Sequence, residues 1–286
     1  MKLPFFLAKR FVAGESFDEA LPAIRTLTDK GLFVTLDMLG EYVKDRQVAH
    51  RSRDAYIDLV KVVDASRNFR QEASISIKLS MMGQKIDPDF CLANLRMLLE
   101  AAKKHDVFVR LDMEGSDITA STLALFESAY PDYPDHVGIV LQAYLKRTER
   151  DVERMCALNA RVRMCKGAYK EPPDLAYQDM NVIRERFMVY AKRLIERSRY
   201  PAIATHDDLL INATKEFVGE RAIAADRFEF QMLYGIRPET QVHLRNEGFN
   251  MRVYIPYGNE WVPYFTRRLR ERKENVWFVL RNLVRK

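Results

Sequence analysis

ASISIKLSMMGQKIDPDFCLANLRMLLEAAKKHDVFVRLDME, residues 73–114, holds one complete strand–helix–strand unit. It opens on one short β-branched run, ASISI, and closes on another, VFVRL. Between them, Asp87 suits a helix N-cap and Pro88 suits the first helical position. Leu92, Leu95, Leu99 and Ala102 then recur at spacings of three and four, which draws one apolar stripe along a helix. A strand, a helix and a second strand in this order predict parallel pairing through a right-handed crossover.

Outward from this unit the same pattern repeats. Further candidate strands are LFVTLDML from Leu32, VGIVLQAY from Val137 and ARVRMCKGAY from Ala160. PAIATHD from Pro201, RFEFQMLYG from Arg227 and MRVYIPYG from Met251 complete a set of eight, each followed by a segment able to form a helix. Eight such units in 286 residues predict an α/β fold closed into a (βα)8 TIM-like barrel. No linker or shift in composition divides the chain, so residues 1–286 are expected to form a single catalytic domain, with 1–30 as a short N-terminal helical lead-in.

Several strands end on ionisable or amide side chains: Asp37, Lys78, Asp112 with Glu114, Gln142, Lys166, His206, Gln231 and Tyr254. In a barrel these C-terminal strand ends form the active-site face. Strand ends are also polar simply because the chain is leaving the core. For any single residue both readings stand.

Composition narrows the class. With 48% hydrophobic and 30% charged residues the chain has material for a substantial core. Cys91, Cys156 and Cys165 form no C-x-x-C pair, which reads as reduced thiols in a cytoplasmic compartment. The N-terminus has no signal-peptide pattern, and no apolar run approaches the ~20 residues needed to span a bilayer. The chain lacks G-x-G-x-x-G, the P-loop pattern and G-x-S-x-G. Classical dinucleotide, nucleotide-phosphate and serine-hydrolase sites are therefore disfavoured. The five histidines form no ligating pair, so no metal is expected.

The net charge of +6 is uneven: residues 261–286 carry eight Lys/Arg and two Glu. Within RVYIPYGNEWVPYFTRRLRE, Asn259 can cap a helix starting near Trp261. Tyr264, Arg267 and Arg268 then share one face, with Glu271 a turn further. A ring beside two guanidinium groups suits a small carboxylate with an apolar body. A solvated basic face, or one that meets nucleic acid, fits the same residues. RMCKGAY, from Arg163 to Tyr169, brings two cations and a glycine to a strand end. Lys166 or Lys78 is open to two readings, a Schiff-base lysine or half of an ion pair.

Taken in order, SIKLS at Lys78, LDME at Asp112, LQAY at Gln142, RMCKGAY at Arg163, ATH at His206, FQMLYG at Leu233, RVY at Tyr254 and Y-x-x-R-R at Tyr264 resemble the proline dehydrogenase family. The resemblance runs from about Gly31 to Glu271. It implies a distorted barrel with the last helix over the active-site mouth, FAD as cofactor, and oxidation of L-proline to 1-pyrroline-5-carboxylate with electrons passed to quinone. It implies Asp112 and Arg163 as catalytic residues. Lys78, Arg267 and Arg268 would hold the substrate carboxylate, with Asp112 orienting them, and Tyr169, Leu233, Tyr254 and Tyr264 would wall the ring. Met113, Gln142, Arg163, Lys166, Gly167, Ala168, Thr205 and His206 match FAD-binding positions, and Glu41 resembles a gate paired with Arg267.

The chain departs from the family at Asp207, where many members carry Asn, and at Lys170, where others carry Trp. No aldehyde dehydrogenase domain follows, which implies a monofunctional enzyme served by a separate pyrroline-5-carboxylate dehydrogenase. The tail ENVWFVLRNLVRK, residues 274–286, has an apolar and a basic face suited to peripheral contact at the inner membrane face, or to packing on the barrel. Two alternatives from other classes are a lysine-dependent barrel aldolase or lyase, and a nucleic-acid-binding protein using the basic C-terminal helix.

Overall fold

The structure, a computed structural model, describes residues 4–66 and 73–271. Eight parallel strands pair in sequence order and close, the first against the last. They are β1 Phe33–Met38, β2 Ala73–Ile77, β3 Phe108–Leu111, β4 Val137–Gln142, β5 Arg161–Cys165, β6 Ala202–Ala204, β7 Glu229–Leu233 and β8 Asn250–Tyr257. Helix α1, Phe17–Thr28, precedes β1. After each strand in turn come α2 Arg46–Ala65, α3 Pro88–His105, α4 Ser116–Ala129, α5 Thr148–Ala157, α6 Met180–Arg197, α7 Asp208–Glu220, α8 Pro238–Asn246 and α9 Trp261–Glu271. Every strand expected from the sequence is present, and the count and closure agree with the barrel.

The local signals act as expected. Asp87 accepts hydrogen bonds from the backbone N–H groups of Asp89 and Phe90, and Pro88 opens α3. Leu95, Leu99 and Ala102 on its stripe are fully buried against the barrel wall. Alternate strand residues face outward to the helices: Val34, Leu36, Ile75, Ile77, Val109, Val162, Val253 and Ile255 join one continuous core. The other set faces the barrel interior, and much of it is polar. Arg252 on β8 bonds through Nε to both carboxylate oxygens of Glu229 on β7, at 2.9 and 3.0 Å.

A smaller apolar cluster closes the top of the barrel. Leu7, Phe11 and Val12 of the lead-in pack with Trp261, Tyr264 and Phe265 of α9. Trp261 donates from Nε1 to Glu15 at 3.1 Å. The lead-in passes so close to Gly235 that a Cβ there would stand 1.6 Å from the Arg10 carbonyl, and Gly235 also has φ +72, so only glycine fits. The last helix is thereby held across the mouth. The tail 274–286 lies outside the described residues.

Candidate active site

A cavity of about 990 Å³ opens at the C-terminal strand ends, beneath α9. That is the upper end of the usual range for ligand pockets, about 300–1,000 Å³. Lys78, Asp112, Met113, Arg163, Lys166, Gly167, Ala168 and Tyr169 lie on its wall, with Thr205, His206, Leu233, Tyr254, Tyr264, Arg267 and Arg268. Only two of the expected site residues stand back from it. Gln142 is buried behind the wall and donates to the Glu114 carbonyl at 2.9 Å. Glu41 reaches the site through Arg267, accepting from its two terminal nitrogens at 2.6 and 3.2 Å.

The floor is a network of paired charges. Arg163 donates to Asp112 at 2.6 Å and to Ser76 at 2.9 Å. Tyr254 donates its phenol proton to the other oxygen of Asp112 at 2.7 Å. Burial, with Asp112 beside it, pushes the Tyr254 phenol well above its ordinary value, so it remains a neutral donor. Lys78 bonds to both oxygens of Asp37, at 2.8 and 3.0 Å. Asp112 thus orients Arg163 and Tyr254 directly, and the carboxylate on Lys78 is Asp37.

Helix α9 supplies the roof. Tyr264 and Arg268 are 6% and 7% exposed, so this face of the helix is turned inward and is not a solvated basic surface. The Arg268 guanidinium stands 5.0 Å from the centre of the Tyr264 ring, and that of Arg267 stands 5.9 Å from Tyr169. Lys78, Arg163, Arg267 and Arg268 therefore converge with three tyrosine rings and Leu233.

The outer part of the cavity has its own ion cluster. Asp207 accepts from Lys166 at 2.9 Å and from Arg184 at 2.8 Å. Burial would raise the Asp207 carboxyl, but those two cations hold it below its usual value. Gly167 has φ +119, and a Cβ there would stand 2.3 Å from the Tyr144 ring, so the backbone can line the wall here only as glycine. His206 accepts from the Leu233 N–H at 2.9 Å, and Arg237 donates to the His206 carbonyl at 2.7 Å.

Asp37, Arg184, Gln231 and Arg237 are wall residues that received no role from the sequence. Asp37 and Gln231 did stand among the polar strand ends. Arg184 and Arg237 sit on α6 and at the start of α8, where no motif marks them. In all, seven Lys/Arg and four Asp side chains line the cavity among the described residues, an imbalance that favours an anionic ligand.

Neither candidate Schiff-base lysine has the environment for that chemistry, which needs a readily neutralised amine. Burial disfavours the charge on Lys78, but Asp37 and Asp112 outweigh it and raise the ammonium above its ordinary value. Lys166 is bonded to Asp207.

A family model described as proline dehydrogenase matches residues 20–281. Proline dehydrogenase 2 of Bacillus subtilis strain 168 is 40% identical over 280 residues, which span 98% of this chain and 91% of that protein. Proline dehydrogenase of Deinococcus radiodurans is 38% identical over 283 residues, spanning 98% and 90%. Among solved structures, proline utilization A from Bdellovibrio bacteriovorus inactivated by N-propargylglycine superposes with a TM-score of 0.86 at 26% identity, covering 93% of this chain. The chain spans 32% of that longer protein. With a family model that takes in nearly the whole barrel and relatives alike from end to end, the chain belongs to the proline dehydrogenase family.

Proposed function

We propose that residues 1–286 form a single catalytic unit that oxidises L-proline to (S)-1-pyrroline-5-carboxylate, the first step of proline catabolism to glutamate, with FAD as cofactor and quinone as electron acceptor. The observation that carries this reading is the convergence of Lys78, Arg267 and Arg268 with Tyr169, Leu233, Tyr254 and Tyr264 on one cavity. Three cations suit a carboxylate, and the rings and leucine suit an apolar five-membered ring.

The wall also fits a flavin. Arg163 Nε and Gln231 Oε1 are buried on it with no hydrogen-bond partner among the described residues. A donor and an acceptor left in this way suit a ligand edge that carries both functions. Met113, Arg163, Lys166, Gly167, Ala168, Thr205 and His206 would hold FAD, with Gln142 supporting the wall from behind. When bound, FAD supplies the two-electron acceptor for a hydride.

The chain's own residues do the positioning. Lys78, Arg267 and Arg268 fix the substrate carboxylate, which fixes the ring carbon beside nitrogen. Tyr169, Tyr254 and Tyr264 with Leu233 exclude water around that carbon. Asp112 holds Tyr254 and Arg163 in place, and Arg163 presents a positive charge where negative charge develops. Glu41, bonded to Arg267, is placed to act as a gate whose release frees that guanidinium for the substrate.

The product would pass to a separate dehydrogenase. No helix among the described residues is long and apolar enough to cross a membrane. We place the protein in the cytoplasm, reaching quinone by peripheral contact through residues 274–286. The paired lysines argue against the aldolase reading, and the inward face of α9 argues against nucleic acid as a partner. Turnover of L-proline with a soluble quinone, read as formation of the pyrroline product, tests the assignment. Borohydride trapping of a lysine adduct without any flavin signal would replace it with the aldolase reading. Sedimentation with anionic vesicles, for the full chain but not for one truncated before Asn275, tests the membrane contact.

A further inference from the structure

Lys78 is the most deeply buried cation of the proposed carboxylate clamp, at 6% exposed. An isolated lysine in that position would lose its proton, because burial penalises the ammonium and spares the amine. A neutral amine could not attract a carboxylate. Something must keep the charge in place before substrate arrives.

Of the carboxylates around it, one touches the Lys78 ammonium directly. Asp112 on β3 is committed to Arg163 and Tyr254. Glu41, after β1, is committed to Arg267. Glu114, after β3, accepts from the Ser80 hydroxyl at 2.7 Å and from its N–H at 3.3 Å. Arg163 on β5 and Arg267 and Arg268 on α9 are cations and oppose the charge. Asp37 on β1 is fully buried, and both of its oxygens lie within 3.0 Å of Lys78 Nζ. Strand register brings them together: Asp37 stands beside Ser76 on β2, two residues before Lys78.

We propose that Asp37 is a positioning residue that keeps Lys78 an ammonium, aimed and charged, for the substrate carboxylate. This rests on the reading of Lys78 as a carboxylate ligand. The pair is a reservoir of charge: an arriving carboxylate shares an ammonium that already exists, and no proton has to be acquired on binding. Burial and Asp37 act on Lys78 in opposite directions, and with Asp37 and Asp112 both present the charge wins. Without the Asp37 charge, burial gains the upper hand and the Lys78 proton is held less tightly. Substrate affinity then falls as pH rises through the lowered value.

The test uses the FAD-loaded enzyme in four forms: wild type, Asp37→Asn, Lys78→Met and the double variant. KM and kcat for L-proline are measured from mildly acidic to mildly basic pH and taken as ratios to wild type at each pH, which cancels the titration of proline itself. Lys78→Met should raise KM by a constant factor. Asp37→Asn should raise it by a factor that grows with pH, reaching about tenfold or more, with kcat little changed. The double variant should match Lys78→Met within about twofold, because Asp37 acts through Lys78.

A KM ratio for Asp37→Asn that is flat with pH would overturn the proposal. So would a double variant whose loss is the product of the two singles. Should Asp37→Asn fail to fold, the double variant removes both buried charges, and its comparison with Lys78→Met decides alone. If Lys78→Met leaves KM unchanged, it is the reading of Lys78 as a carboxylate ligand that fails. The same series read by binding of a five-membered-ring carboxylate with oxygen in place of the ring nitrogen separates affinity from chemistry.

Discussion

The two faces of the same eight strands are built on opposite principles. Outward, Val34, Leu36, Ile75, Ile77, Val253 and Ile255 are fully buried hydrocarbon packed against the helices. Inward, Thr35, Asp37, Ser76, Arg163, Glu229 and Arg252 are buried too, yet each is polar and most are ionised. Hydrocarbon burial is non-directional and roughly additive in area. Buried charge is costly unless each group has its partner in place. The outer face therefore carries stability, and the inner face stores a set of positioned charges that a ligand can use. A one-residue shift along a strand would exchange the two faces, which is why the barrel register matters to the site.

Four tests probe this division. The largest expected effect is at the roof: Arg268→Met, or Arg267→Met, should raise KM for proline by about 30-fold to several thousandfold, equivalent to about 2–5 kcal/mol for losing one partner of a desolvated charged contact. FAD binding and the melting temperature should change little. Steady-state kinetics and a thermal melt on the same preparation check both halves.

On the outer face the pattern should invert. Ile75→Ala removes fully buried hydrocarbon and should cost about 2–5 kcal/mol of stability, with KM for proline close to wild type in the protein that remains folded. Denaturant melts beside kinetics check this. A large rise in KM would show that the two faces are not separable.

The inner charges also contribute to stability, with a pH signature that hydrocarbon lacks. Burial alone would raise the Glu229 carboxyl, but Arg252 outweighs it and lowers its value from 4.5 to about 2. A carboxyl depressed on folding contributes stability above its unfolded value and loses it as pH falls. The contribution, at most on the order of 3 kcal/mol, should therefore be present above pH 4.5 and fade toward pH 2. In Glu229→Gln this acid limb should flatten, and stability at neutral pH should fall because Arg252 loses its counter-charge. Denaturant midpoints measured across that window decide it.

The smallest effect concerns tuning and not structure. Arg163→Ala should lower the reduction potential of the bound flavin by tens of millivolts, about 30 mV corresponding to about 1.4 kcal/mol for a two-electron couple. The direction follows from losing a cation that favours the electron-rich reduced ring. A potentiometric titration without a shift would place Arg163 away from the flavin.

Most of the outer face was legible in the sequence, because it is written in local periodicity. Leu95, Leu99 and Ala102 mark the α3 stripe, and Asp87 with Pro88 marks where that helix begins. The inner face was legible residue by residue but not pair by pair. Asp37 and Gln231 were recognisable as polar strand ends, yet that Asp37 meets Lys78 depends on how β1 and β2 align across 41 residues of chain. The same separation divides Lys166 from Asp207. Arg184 and Arg237 were missed because they come from helices whose own sequences show only ordinary surface cations. Arg268 was legible as a carboxylate ligand or as part of a solvated basic face, and the packing of Phe11, Trp261 and Phe265 against α9 settles it inward.

Anaerobic titration of the purified, FAD-loaded protein with L-proline, followed by its visible spectrum, shows whether the inner face binds and oxidises L-proline. The protein should be yellow, and its flavin absorbance should bleach on adding L-proline, with one pyrroline product formed per flavin reduced. A flavin spectrum unmoved by saturating L-proline, in protein that melts cooperatively, would contradict the assignment.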